Sequence, residues 1–187
     1  MDFLFPCRER ATSREHIMDS NGPFTEERCT TTPGFFSALI SRGITFRTEC
    51  GHYGPTFFPN LAAWMAFCEL PTTQASLKKN RKFLCDPQAY GMPQMERGPQ
   101  KAAGYWELSQ HWPLFLARWH GKIPFREMLN WVQDDLHLSE FGELTSYLFT
   151  ADFVYCNLVQ QPTAEEVAKV IVNLGKAGLK GIHQLGY

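Results

Sequence analysis

Cysteine and histidine side chains that could bind a metal stand two residues apart, at Cys50 and His52. Thiolate and imidazole groups are both zinc ligands, and a turn between them could direct both at one ion. A closed zinc site needs two further ligands, for which Cys29, Cys68 and Cys85 are candidates. The same pair could form a thiol nucleophile and its base if the fold brings them into contact. Because zinc modules use paired ligand spacings, a buried Cys50 and a loop His52 are the simpler interpretation.

Aromatic and imidazole side chains are dense between positions 105 and 120. They are Tyr105, Trp106, His111, Trp112, Trp119 and His120. On a helix interrupted by Pro113 they could line a ligand pocket, with His111 as a proton donor or acceptor. The rings at 105, 112 and 119 recur every seven residues, which is also the pattern of a buried helical face. We therefore keep two interpretations, a ligand pocket and an aromatic core, and favour the core.

Four cationic residues form a compact basic cluster, namely Lys78, Lys79, Arg81 and Lys82. Such a cluster can contact phosphate groups through charge alone, without reading a nucleotide sequence. A solvated helix face explains the same pattern. The sequence pI of about 6.6 and the acidic stretch that follows disfavour nucleic acid as the partner.

The segment 167–186, VAKVIVNLGKAGLKGIHQLG, resembles a helix–hairpin–helix element. In that family a glycine-rich turn presents backbone amides to DNA phosphate, and the resemblance implies that Lys176 and Lys180 contact the phosphate. The chain departs from the family's G-h-G hairpin because two residues separate Gly175 from Gly178. We interpret the segment as a Schellman-type helix end followed by a short helix.

Charge is segregated along the chain, although the formal net charge is only −1. Between residues 77 and 126, nine Lys and Arg residues outnumber three Asp and Glu residues. Between residues 127 and 168 the chain is acidic and contains no Lys or Arg. Two fields of opposite sign influence partner choice and association rather than the fold.

Length and composition fit a folded domain, since the 187 residues are 44% hydrophobic and 20% charged. Six cysteines are widely spaced without a CxxC pair, which favours reduced thiols over disulfides. The N-terminal residues lack the pattern of a signal peptide, and no apolar stretch reaches transmembrane length. We expect a soluble intracellular protein of the cytoplasm or nucleus, with no membrane contact.

The periodicity of apolar residues predicts a mainly α-helical fold, a single-domain bundle of roughly seven helices. Residues 1–32 are expected to form an irregular polar arm, residues 33–187 a single helical domain, and residues 85–104 a long loop rich in Pro and Gly. Alternating residues near 44–50 allow at most a short β strand or hairpin. Helix caps are predicted at Thr32, Asn60, Thr73, Ser139 and Thr163, the last within a capping box with Glu166.

The sequence contains no Walker A, GxGxxG, HExxH or GxSxG motif, so it leaves open whether the chain is an enzyme. Segregated charge and abundant aromatic residues favour an intracellular interaction module whose basic (77–126) and acidic (127–168) surfaces orient a partner protein or a second copy. One alternative is a small-molecule-binding protein or enzyme with a pocket at 105–120, with or without zinc. The second alternative is a nucleic-acid-binding domain that uses the lysines and arginine of 78–82 together with Lys176 and Lys180.

Overall fold

The computed structural model describes residues 12–85, 97–138 and 141–173. In these ranges the chain is mainly helical, as the sequence predicts. The chain forms two compact units, residues 1–118 and residues 119–187. The predicted division into an arm and one helical domain stays a prediction, because two compact units can belong to one domain. Within the described part of the chain, no helix is long and apolar enough to cross a membrane.

The first unit contains seven described α-helices and one π-helical segment. They are α1 (Thr12–Ile17), α2 (Thr32–Ile40), the π segment Ser41–Thr45, α3 (Glu49–Tyr53), α4 (Leu61–Glu69), α5 (Pro71–Lys79), α6 (Arg97–Ser109) and α7 (Trp112–Leu116). The second unit contains α8 (Phe125–Asn130), the π segment Trp131–Asp135, α9 (Glu143–Tyr155) and α10 (Ala164–Asn173).

Helix α2 is the centre of the first unit, since every residue from 34 to 40 is buried. It packs against α6 and α7, and α4 packs against α6. Aromatic rings fill these contacts: Phe35 stacks on Trp112 at 4.4 Å between ring centroids, and Phe36 meets Trp106 edge-on at 5.1 Å. Aromatic pairs in such geometries add to the stabilisation from burial alone.

The short strand considered near 44–50 does not form. Residues Ser41–Thr45 prolong α2 as a π-helix, and Glu49–Tyr53 is α3, which Thr48 caps by accepting a hydrogen bond from the Gly51 N–H at 3.0 Å. Five alternating residues are a weak signal, because a strand also needs a neighbour with which to pair. Helical hydrogen bonds satisfy the backbone here instead.

The predicted polar arm includes buried apolar residues. After α1 the chain follows a series of turns, in which Ile17, Phe24 and Cys29 are buried. His16 Nε2 lies 2.8 Å from the carbonyl oxygen of Gly54, which ties α1 to the end of α3. Residues 1–11 lie outside the described residues.

Helix caps follow the sequence predictions in part. The predicted cap Asn60 is confirmed, since its Oδ1 accepts from the Ala63 N–H at 2.9 Å. The capping box is confirmed too: the Thr163 N–H donates to Glu166 Oε2, and the Glu166 N–H donates to Thr163 Oγ1. The cap at Thr32 is wrong by one residue, because Thr31 caps α2. Thr73 lies inside α5 instead of capping it, and Ser139 lies outside the described residues.

The loop expected over 85–104 ends earlier than predicted. Helix α6 already begins at Arg97, with Pro99 in its first turn, where the missing N–H of proline costs no intrahelical hydrogen bond. Residues 86–96 lie outside the described residues. The predicted break near Trp112 is confirmed, since α6 ends at Ser109 and α7 begins at Trp112, with Pro113 in its first turn.

The second unit is built around α9, which packs against α8, the π segment after it and α10. The buried residues of α9 include Phe149 and Phe153, whose rings meet edge-on at 5.2 Å. A parallel bridge joins Ile123 to Val159, and the Gln160 N–H donates to the Ile123 carbonyl oxygen at 2.8 Å. This bridge fixes the entry to α8 beside the exit from α9.

Candidate functional site

The proposed metal pair lies on the short helix α3. Cys50 is buried, whereas His52 is half-buried near the end of the helix. Residues two positions apart on an α-helix do not face each other, because each residue turns the chain by about 100°. Among the described residues, no group of three or more His, Cys, Asp or Glu side chains could hold a metal ion. The geometry therefore adds no support to zinc binding or to a Cys50–His52 nucleophile.

Two buried thiols lie near each other instead. The pKa of Cys50 is raised from its ordinary value of 9.0 to about 12, chiefly because the thiol is buried. The charge of the neighbouring Cys68 makes a smaller contribution to the same rise. Burial likewise raises the pKa of Cys68 to about 12, with a smaller contribution from the charge of Glu69. Both side chains are therefore neutral thiols at physiological pH, which makes them poor nucleophiles and poor metal ligands.

The raised thiol pKa values predict a loss of stability in alkali. Each of the two thiols has a higher pKa in the folded chain than in the unfolded chain, so it stabilises the fold fully below about pH 9. This contribution decreases as the pH rises from about 9 toward 12. We expect each thiol to lower the free energy of unfolding by up to about 1.4 kcal/mol per pH unit in this window. Urea denaturation of the wild type and of a Cys50→Ala/Cys68→Ala variant at about pH 7.5, 9 and 10.5 measures it. A stability difference between the two proteins that stays constant with pH would contradict the prediction.

The aromatic and histidine segment does not line one pocket. Tyr105 and Trp112 are buried in the core of the first unit, and the Trp112 Nε1–H donates to the Cys29 carbonyl oxygen at 3.1 Å. Trp106 is half-buried and His111 is exposed. In the second unit, Trp119 is half-buried and His120 is exposed. The two fully buried rings pack as core, so the pocket interpretation of 105–120 gains no support from the geometry.

The basic cluster lies at the end of α5 and on the turn after it. Lys78, Lys79, Arg81 and Lys82 are all exposed, and none forms an ion pair with another described residue. Asn80 at the centre of the cluster fixes the turn: its Oδ1 accepts from the Lys82 N–H at 2.9 Å, and its Nδ2 donates to Glu49 Oε2 at 3.3 Å. The four charges therefore project from a fixed turn. Lys176 and Lys180 lie outside the described residues.

Four carboxylate side chains of the second unit are grouped under the name acidic cluster. They are Glu127 on α8, Asp134 and Asp135 on the π segment, and Glu143 at the start of α9. All four side chains are exposed, and none makes an ion pair with another described residue. Asp152, by contrast, is buried in α9 and is not part of this surface.

A groove of about 240 Å³ opens within the second unit, between α8 with its π extension and α10. Its lining comprises Phe125, Arg126, Leu129, Asn130, Gln133, Glu166, Lys169, Val170 and Asn173. Apolar, amide and charged side chains thus meet in one concave surface. Such a mixture is typical of small-ligand sites, although this volume is below that of a site for a drug-sized molecule.

Sequence reasoning predicted the helices that form the groove but not the groove itself. The apolar residues Phe125, Leu129 and Val170 have the spacing of buried helical faces, which only says that each helix packs against something. The one available signal is Arg126, a cation directly beside an apolar face at the start of α8. That pattern occurs on many solvated helices, so it does not identify a site.

Comparison of the chain with protein-family models, with curated proteins and with solved structures finds no match.

Proposed function

We propose that this protein is an interaction module that associates through surfaces of opposite charge. The observation that carries the proposal is the basic cluster of 78–82, four exposed cations without an ion pair among the described residues. Exposed charges that have no intramolecular partner raise the rate and selectivity of association with a surface of opposite sign.

A second copy of the chain supplies a surface of the required sign. The acidic cluster of Glu127, Asp134, Asp135 and Glu143 is exposed in the second unit and carries as many charges as the basic cluster. In the proposed contact, the basic cluster of one copy meets the acidic cluster of another. Each exposed ion pair in such a contact contributes little binding free energy by itself, so the contact requires the whole set of charges. It weakens as salt screens these charges.

Charge exchange between two variants tests this contact. The first variant replaces Lys78, Lys79, Arg81 and Lys82 by Glu, and the second replaces the four residues of the acidic cluster by Lys. We expect the wild type to associate at low salt and each variant alone to be monomeric. An equimolar mixture of the variants should associate again, because opposite charges then face each other in both contacts. Native mass spectrometry and sedimentation at about 20 and 300 mM salt measure the oligomeric state.

The control variant carries the same change in charge at other sites. Replacing Arg47, Arg118, Lys122 and Arg126, all exposed, by Glu should leave association unchanged, whereas the same replacement in the basic cluster should abolish it. Monomeric wild type at both salt concentrations, or variants that fail to associate when mixed, would refute the proposed contact. Retention of the monomer on a DNA or RNA column, lost with the basic cluster and at high salt, would favour the nucleic-acid alternative instead.

A further inference from the structure

The groove of the second unit has an apolar floor. Phe125 and Leu129 on α8 are buried at its base, and Val170 on α10 faces them while remaining half-buried. Helix α10 has no buried residue, so the rest of the described chain does not fully cover Val170. The apolar side of this helix therefore retains accessible surface that a small apolar group could cover.

Among the charged side chains that line the groove, Lys169 and Glu166 have partners within the described residues, whereas Arg126 has none. Lys169 pairs with Glu165 at 2.7 Å, and the Glu166 carboxylate accepts the Thr163 N–H at 2.8 Å. Arg126 is exposed, and it makes neither a hydrogen bond nor an ion pair with any other described residue. The hydrogen bond from Lys169 and, less strongly, the charge of Arg126 lower the pKa of Glu165.

We propose that this groove binds a small carboxylate with a short apolar or aromatic body. The guanidinium group of Arg126 presents parallel N–H donors that match the two oxygens of a carboxylate. The body of the ligand lies against Phe125, Leu129 and Val170, and the side-chain amide of Gln133 offers a further donor and acceptor. The volume of about 240 Å³ restricts the ligand to one ring or a short chain. None of the residues that line the groove belongs to either charged cluster, so this proposal does not depend on the proposed association.

The test titrates phenylacetate and hexanoate into the full-length, ¹⁵N-labelled protein and follows backbone amide shifts. We expect saturable shifts within 125–133 and 164–173, and much smaller shifts with phenylacetamide, which has the same body without the charge. Arg126→Gln should weaken phenylacetate binding by about tenfold or more, the usual effect of losing a charged hydrogen-bonding partner. Arg126→Lys should retain part of the affinity, because a point charge remains without the paired donors.

Lys122→Gln is the matched control, because Lys122 is an exposed cation of the same unit that does not line the groove. This variant should bind phenylacetate like the wild type. Because Arg126 is exposed, Arg126→Gln should leave the melting temperature of the protein unchanged. An unchanged melting temperature would show that the variant is folded.

Three results would overturn the proposal: no saturable shift with either acid, equal shifts with phenylacetamide, or binding that Arg126→Gln leaves intact. Nuclear Overhauser contacts from residues 174–187 to Phe125 or Val170 in the free protein would also overturn it, because the chain itself would then fill the groove.

Discussion

Trp112→Ala should lower the free energy of unfolding by about 3–5 kcal/mol, the usual cost of removing a fully buried tryptophan ring. Trp112 has no exposed surface, and its ring stacks on Phe35 at 4.4 Å and lies 5.8 Å from Phe115. Alanine would leave a cavity between α2 and α7. The loss of the Nε1–H would also leave the Cys29 carbonyl oxygen without this donor. Urea denaturation followed by circular dichroism measures the change.

Two further variants separate packing from hydrogen bonding at this position. Trp112→Phe keeps a ring against Phe35 but lacks the donor, so its loss of stability should lie between those of the wild type and Trp112→Ala. Leu114→Ala removes an apolar side chain from the same short helix, but Leu114 is 70% exposed, and the cost should stay within about 0.5 kcal/mol. A Trp112→Ala protein less than about 1 kcal/mol below the wild type would contradict the buried stack.

Gly34→Ala should also be strongly destabilising, by about 3 kcal/mol, because the site has no space for a methyl group. A Cβ atom on residue 34 would lie 1.9 Å from the carbonyl oxygen of Arg28. That carbonyl cannot move freely, since it accepts hydrogen bonds from both the N–H and the hydroxyl of Thr31, each at 2.8 Å. Displacing it would disturb Thr31, the residue that caps α2, and so add the cost of a weakened cap.

Gly104→Ala is the control for this substitution. Gly104 lies within α6, and among the described residues no atom other than the nearby backbone of its own helix comes within 4 Å of a Cβ built on it. Alanine there should stabilise the protein by about 0.5–1 kcal/mol, because glycine is the less favourable residue in a helix interior. Urea denaturation of both variants gives the comparison. Similar effects of the same sign at positions 34 and 104 would show that the close approach to Arg28 is not present in solution.

Local sequence signals predicted most of the helices and some of their ends. Some helix ends depend only on residues within one turn of each other, so the local sequence is sufficient to predict them. Examples are the capping box of Thr163 and Glu166, the cap Asn60 and the break at Pro113. Long helices with regular apolar spacing, such as α9, were found for the same reason. Apolar residue type alone does not decide burial on this helix, since Leu144 is 52% exposed.

Features that depend on distant residues could not be predicted in the same way. The pattern at 44–48 suits a strand locally, yet the π segment after α2 brings Gly43 against the buried Tyr105 ring from α6. The Arg28 carbonyl beside Gly34 likewise depends on how the turns after α1 return to α2. Close approaches of this kind arise from packing, which neighbouring residues in the sequence do not encode.

For the candidate sites too, some features follow from local sequence and others only from the packing of distant residues. By itself the sequence determined the helical class and the segregation of charge, because periodicity and residue type are properties of single segments. Only the tertiary structure decided that Tyr105 and Trp112 are core, that Cys50 and His52 diverge on α3, and that α8 and α10 enclose a groove beside Arg126. The physical reason is that a site requires side chains from separate elements to converge, and convergence is fixed by the packing of whole helices.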